Sequence, residues 1–257
     1  MPEARVGISG WRYAPWRGDF YPRGLQQRRE LEFASSRLRT IEINGTFYGL
    51  QRESSWRVWR DTVPDDFVFC VKGGRYITHL LRLRNPEDAL ESFFAQGLFQ
   101  LGPKLGPILW QLPAAVGFEP KTLEHFLTVL PRTAPDGSPL RHAMEVRSHT
   151  FINETYFSML ERHGVASVIA DTAGTFPVLD RVFGDLVYVR LHGDVELYAS
   201  GYSDSALDHW AERARGWLDE GRDVFVFFDN DIKVRAPYDA MGLASRLGWT
   251  GATDTLF

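Results

Sequence analysis

Glu145 and Arg147 stand two positions apart in the stretch Arg141–Ser148, RHAMEVRS, whose pattern predicts a short strand in mid-chain. Strand side chains alternate between faces, so Ala143, Glu145 and Arg147 share one side while His142, Met144 and Val146 share the other. A carboxylate and a guanidinium therefore project together from the end of an otherwise apolar strand. Buried charges are costly unless paired, and a purely structural strand gains nothing from them. The chemistry on offer is proton transfer by a carboxylate that a guanidinium orients, set against a structural ion pair.

The same parity, applied along the chain, collects more polar groups. Thr40–Asn44 (TIEIN) predicts a strand with Ile41 and Ile43 on one face, Glu42 and Asn44 on the other. Phe67–Gly73 (FVFCVKG) places Lys72 on the face of Cys70, with Arg75 and His79 just beyond. Gly106–Pro113 ends near Gln111, Ser167–Thr172 near Asp171, and Leu186–Gly193 puts Arg190 and His192 opposite Val187, Val189 and Leu191. Arg5–Gly10 and Asp223–Asp231 complete eight β-rich segments. Helical patterns separate nearly all of them: Leu25–Leu38, Glu53–Asp61, Asn85–Gln100 with Asn85 as its cap, Leu123–Leu130, Asn153–His163, Ser203–Asp219 and Tyr238–Leu247. Eight strands alternating with helices over 257 residues predict one (β/α)8 barrel spanning 1–257. A doubly wound sheet is the competitor, but it usually has fewer strands, and no G-x-G-x-x-G turn is present.

In such a barrel, the apolar strand faces meet the helices and function sits at the C-terminal strand ends. Glu42, Asn44, Lys72, Gln111, Glu145, Arg147, Asp171, Arg190 and His192 then point inward as a polar ring drawn from six strands. Lys72 suits an anion contact, or imine chemistry if its pKa is depressed beside Arg147. His192 and His79 suit acid–base work, a metal, or a structural hydrogen bond. Cys70 reads as packing rather than nucleophile. The aromatic loops after the first two strands, with Trp11, Tyr13, Trp16, Phe47 and Tyr48, would overhang the mouth and stack on a sugar ring or base. Their alternative is a satellite core that holds the loop down. The segment Asp194–Tyr202 has the composition of a lid.

Composition narrows the function classes. A net charge of −4 gives no basic surplus for non-specific nucleic-acid binding. A single cysteine excludes internal disulfides and Cys-rich metal sites and points to a reducing compartment; with no membrane-length apolar run and no signal-peptide pattern, the expected location is cytoplasmic. Glu42, Glu145, Asp171 and His192 could assemble a divalent site, but Lys72, Arg147 and Arg190 compete with a metal and favour an anionic ligand. The expectation is no metal and no cofactor.

The motifs GISGWRYAPWRGDFYP, TIEINGTFYGL, FVFCVKGGRYITH, GPILWQLP, MEVRS, VYVRLHG and FDND resemble those of the DUF72 family, described also as YecE-like or sugar-isomerase-related. The resemblance covers nearly the whole chain and implies a TIM-type barrel. It carries no activity with it, because the family is defined by unknown function. Its recurrent residues include every member of the ring, and add Ser9, Gly10, Trp11, Phe47, Tyr48, Thr78, His79, Gly193 and Asn230. Asp229 departs from the family, which has asparagine there.

The resulting expectation is an enzyme for a small anionic, sugar-like or phosphorylated molecule. Glu145 would be the acid/base with His192 or Lys72; Arg147, Arg190 and Arg75 would hold the anion; Glu42, Asn44 and Gln111 would bind hydroxyls. A non-catalytic nucleotide or nucleic-acid binder and a divalent-metal hydrolase are the alternatives.

Overall fold

The computed structural model describes residues 1–249. Eight parallel strands close on themselves in sequence order: β1 (Ala4–Ser9), β2 (Thr40–Ile43), β3 (Val68–Lys72), β4 (Leu105–Gln111), β5 (His142–Glu145), β6 (Val165–Asp171), β7 (Leu186–Leu191) and β8 (Asp223–Phe228). Around them run α1 (Glu30–Arg37), the single turn α2 (Gly45–Tyr48), α3 (Glu53–Thr62), α4 (Glu87–Ala95), α5 (Pro120–Val129), α6 (Glu154–Arg162), α7 (Asp204–Asp219) and α8 (Ala236–Arg246). The predicted (β/α)8 barrel is the observed fold. Ala4–Ile8 pairs with Val224–Phe228 to seal the last strand against the first.

Strand parity sorts the side chains into two layers. Ile41, Ile43, Met144, Val146, Val187, Val189 and Leu191 join the core between strands and helices. Cys70, Leu109, Ala143, Val168, Tyr188, Phe225 and Phe227 fill the barrel itself. Arg5 and Arg141 close its lower end over the Phe225 ring, at 5.8 and 5.6 Å, with Arg141 paired to Asp223 at 2.6 Å. Gly7 is required where β1 crosses β2, because a Cβ there would lie 1.8 Å from the Thr40 carbonyl oxygen.

Several helix boundaries differ from expectation: the helix predicted from Leu25 begins at Glu30, that from Leu123 at Pro120, and that from Asn85 changes at both ends. The helix predicted from Asn85 begins later: Asn85 adopts φ 42°, and Pro86 takes the N-cap position without a side-chain cap. It also stops at Ala95, because Gly97 turns left-handed at φ 107°. Asn153 and Ser203 do cap α6 and α7, accepting from the amides of Tyr156 and Ala206.

Candidate active site

The ring forms at the C-terminal end of the barrel, and its centre is Arg190. This guanidinium, fully buried on β7, donates through one terminal nitrogen to Glu145 Oε2 (2.7 Å). Through the other it donates to Glu42 Oε1 (2.8 Å) and Asp229 Oδ2 (3.0 Å). Ser9 Oγ donates to Glu42 Oε1 at 3.0 Å and the Tyr188 phenol to Glu42 Oε2 at 2.6 Å, so both Glu42 oxygens are taken. Arg147 Nε donates to Glu145 Oε1 at 2.7 Å, which occupies that carboxylate on both sides. Burial alone would raise the Glu145 carboxyl, but Arg147, Arg190, His192 and Lys72 hold it well below the usual carboxylate range. Asp229 is likewise pushed up by burial and pulled down, chiefly by Arg190, to about 2.

Around this centre lies a second set of groups nearer the opening. Lys72 at the end of β3 is half-buried, with its ammonium 4.5 Å from the centroid of the Phe47 ring. Burial, then Arg190, lowers its pKa, against the opposing pull of Glu42, Asp229 and Glu145. His79 packs edge-to-face with the Phe47 ring at 5.0 Å, and its Nδ1 lies 2.9 Å from Thr78 Oγ1. Burial and the cations Lys72, Arg75 and Arg147 lower its pKa too. His79 sits on a wide helical turn, Tyr76–Leu80, of the π type that often marks functional sites. His192 is buried, with Nδ1 3.0 Å from Asp229 Oδ2 and Nε2 3.9 Å from Glu145 Oε1. Arg147 extends past β5 over the Phe176 ring at 4.9 Å. Gln111 ends β4 on the barrel side, alternating with Leu109.

Several expected members lie elsewhere. Asp171 follows Val165 and Ile169 on the helix side of β6, while Ala166, Val168 and Ala170 take the barrel side. Its Oδ2 accepts from the Tyr202 phenol at 3.0 Å. Asn230 is also turned outward: its amide donates to Ser200 O (2.8 Å) and Asp239 Oδ2 (2.7 Å), clamping the β7–α7 loop to α8. Parity gives the inward position to Asp229 instead, following Phe225 and Phe227, an alternation that FVFFDND itself carries. Glu42 belongs to the ring but has both oxygens taken, and Arg190 has both terminal nitrogens taken, with only its buried Nε unpartnered. Arg75 is exposed and lines an outer, largely apolar cavity of about 350 Å³ with Tyr48 and Tyr76. Trp11, 6% exposed, packs edge-to-face on Trp59 at 5.4 Å, so the first loop is mainly a satellite core. Tyr48 is the exposed aromatic of this pair of loops, at 76%. Asn44 follows β2, beside Tyr13, and its Oδ1 is buried without a hydrogen-bond partner. Cys70 is buried, and burial and Glu42 push its thiol up, as packing requires.

The segment expected to be a lid is a pinned loop. Gly193 at φ 132° begins it, and a Cβ there would lie 2.2 Å from Glu196 O. Gly193 N donates to the Tyr202 phenol, and Val195 and Glu196 donate to Ser200 Oγ. The loop holds Tyr198 at φ 62°, its ring 5.2 Å from His192. Such a left-handed tyrosine persists only where its surroundings over-determine it.

The ring carboxylates converge on a guanidinium rather than on an open point between them. Among the described residues, no group of three His, Cys, Asp and Glu side chains is arranged to hold a metal ion.

Residues 5–255 match the family described as "Protein of unknown function DUF72". The chain belongs to the DUF72 family. A DUF72 protein from Thermotoga maritima, seen in a crystal structure, superposes with a TM-score of 0.82 at 26% identity, covering 96% of this chain and 99% of that one. The UPF0759 protein YecE of Escherichia coli K12 is 30% identical over 173 residues, or 65% of this chain, and the chain spans only 58% of that relative's length. The UPF0759 protein YunF of Bacillus subtilis is 22% identical over 258 residues, 88% of each chain. DUF72 membership carries the barrel and no reaction, so chemistry must be argued from the ring.

Proposed function

We propose that the barrel mouth is an acid–base active site, independent of metal, for a small anionic sugar-like or phosphorylated substrate, with isomerase, epimerase or hydrolase chemistry. One observation carries this reading. Arg190 spends its terminal nitrogens on all three ring carboxylates, so the Lys72 ammonium and the terminal nitrogens of Arg147 are the ring's cationic donors without a hydrogen bond to a carboxylate. An incoming anion is held by those two, the guanidinium fork giving direction and the ammonium charge.

The roles divide by protonation. Lys72, its pKa lowered, gives up its proton more readily than an ordinary lysine and is the group that moves the substrate proton. Glu145, ionised and hydrogen-bonded on both oxygens, is a positioning residue for Arg147 rather than the base. His192, ordered by Asp229, and Gln111 contact the reacting end. Carboxylates already committed to Arg190 would have to give up that guanidinium to ligate a divalent ion, which favours the metal-independent reading over a metal hydrolase.

Native mass spectrometry of gently purified protein, followed by thermal-shift titration with sugar phosphates and inorganic phosphate, tests the proposal. Retention of an anionic metabolite, and a phosphate-dependent rise in Tm lost in Arg147→Ala and Lys72→Met, is the expected result. Stoichiometric metal that disappears in Glu145→Ala would overturn it. So would binding confined to nucleic acid, falling steeply with salt and indifferent to Glu145→Gln.

A further inference from the structure

We propose that the cleft between the loops following β1 and β2 is a second subsite, which takes a neutral pyranose ring joined to the anionic group at the mouth. This deepens the function proposed above and rests on it. The cleft has a volume of about 260 Å³, room for one sugar ring. Its walls come from Trp11, Tyr13, Tyr48 and Trp59, its polar edge from Asn44 and Gln51. Its lining residues link it to the ring. Asn44 follows Glu42 by two residues, the Tyr13 phenol donates to the Ser9 carbonyl oxygen at 2.5 Å, and Ser9 Oγ donates to Glu42. A ligand anchored by Lys72 and Arg147 can therefore continue across Asn44 into the cleft.

The chemistry of the lining selects the ring. Trp11 meets Trp59 edge-to-face at 85°, so the walls offer single faces and edges rather than a slot between parallel rings for a flat base. Tyr48, the exposed member, offers a face for the C–H surface of a pyranose. Asn44 Oδ1 is buried without a donor. Gln51 Nε2 is spent on the Gly49 carbonyl at 2.9 Å, which leaves Oε1 as its acceptor. Two amide oxygens without protein donors fit hydroxyls, each of which can donate. Leaving a buried acceptor unsatisfied is costly, and a ligand hydroxyl removes that cost.

The test compares three probes by tryptophan fluorescence, since Trp11 and Trp59 line the cleft: a hexose 6-phosphate, the corresponding disaccharide 6′-phosphate, and the neutral disaccharide. The disaccharide phosphate should bind at least about tenfold more tightly than the hexose phosphate, and that ratio should fall toward one in Gln51→Ala and in Trp59→Ala. Gln51 lies outside the aromatic core and keeps the test valid if Trp59→Ala unfolds. Equal affinity of the two phosphates, or a ratio that survives both variants, overturns the subsite while leaving the anion site standing. If neither phosphate binds, the proposed function fails. The neutral disaccharide then decides the subsite alone, supporting it if its binding is lost in Gln51→Ala and overturning it if there is none. AMP binding far more tightly than ribose 5-phosphate, with the same dependence on Gln51, would replace the pyranose with a base.

Discussion

Arg190 is the residue on which the site depends, because it is the common counter-ion of Glu42, Glu145 and Asp229. Replacing it with Met strands three buried carboxylates, and removing one partner of even a single buried pair costs about 3–5 kcal/mol. Urea unfolding of Arg190→Met should show a loss of at least that size, or no folded protein. Glu145→Gln keeps the shape of the side chain, and should bind a phosphate ligand more weakly without unfolding; unchanged affinity in a titration removes its positioning role. A different residue sets the acid limb of stability. His142 is fully buried, accepting from Trp110 Nε1 at 3.2 Å, and burial lowers its pKa from 6.5 to about 4. A depressed pKa means that the neutral form stabilises the fold above 6.5, and that this contribution is lost as pH falls from 6.5 toward 4. A lowering from 6.5 to about 4 corresponds to about 3 kcal/mol. Unfolding free energies measured between pH 7 and 4 should fall by an amount of that order, and His142→Leu should flatten the slope. Asp229 adds a second loss below its unfolded value near 4, down to about 2, by the same sign. At this scale, parity in the sequence located Glu42, Lys72, Glu145, Arg147, Arg190 and His192. It could not show that Arg190 and Glu42 spend their polar atoms on each other, because a pairing across 148 positions leaves no trace in local pattern.

The loop from Gly193 to Tyr202 shows what the elements contribute. Its composition of glycine, serine and tyrosine reads as mobile, yet Asn230 and Asp239 hold it from below and Asp171 holds Tyr202. Truncating Asn230 to Ala removes one buried and one partly buried hydrogen bond and leaves Asp239 and Ser200 O short of a donor, at a cost of about 1–3 kcal/mol. Hydrogen exchange across residues 194–202 should accelerate in that variant while β5 and β7 stay protected; unchanged loop exchange would mean that the clamp is not what orders it. Gly193→Ala should disturb the same loop more severely, since its Cβ cannot avoid Glu196 O. Asp171 and Asn230 turn outward by the same alternation, Ile169 to Asp171 and Phe228 to Asn230, and hydrogen bonds to the β7–α7 loop hold them there. Asp229 was legible by the alternation Phe225, Phe227, Asp229.

For the whole molecule, eight strand-like segments and their spacing sufficed to give a closed barrel, and the apolar faces fell on the helix side as alternation requires. DUF72 membership agrees with that architecture. Among the described residues, no helix is long and apolar enough to cross a membrane. Closure has a consequence for how the protein comes into being. The ring draws Glu42 from β2, Glu145 from β5, Arg190 from β7 and Asp229 from just after β8. The seam joins the first strand to the last, so both edges stay unpaired until nearly the whole chain has been synthesised. A nascent chain halted after β7 would carry Arg190 without Asp229 and β1 paired to β2 but not to β8. Acquisition of the site and sealing of the seam are therefore one late step, and ribosome-bound chains ending before residue 223 should remain protease-sensitive throughout.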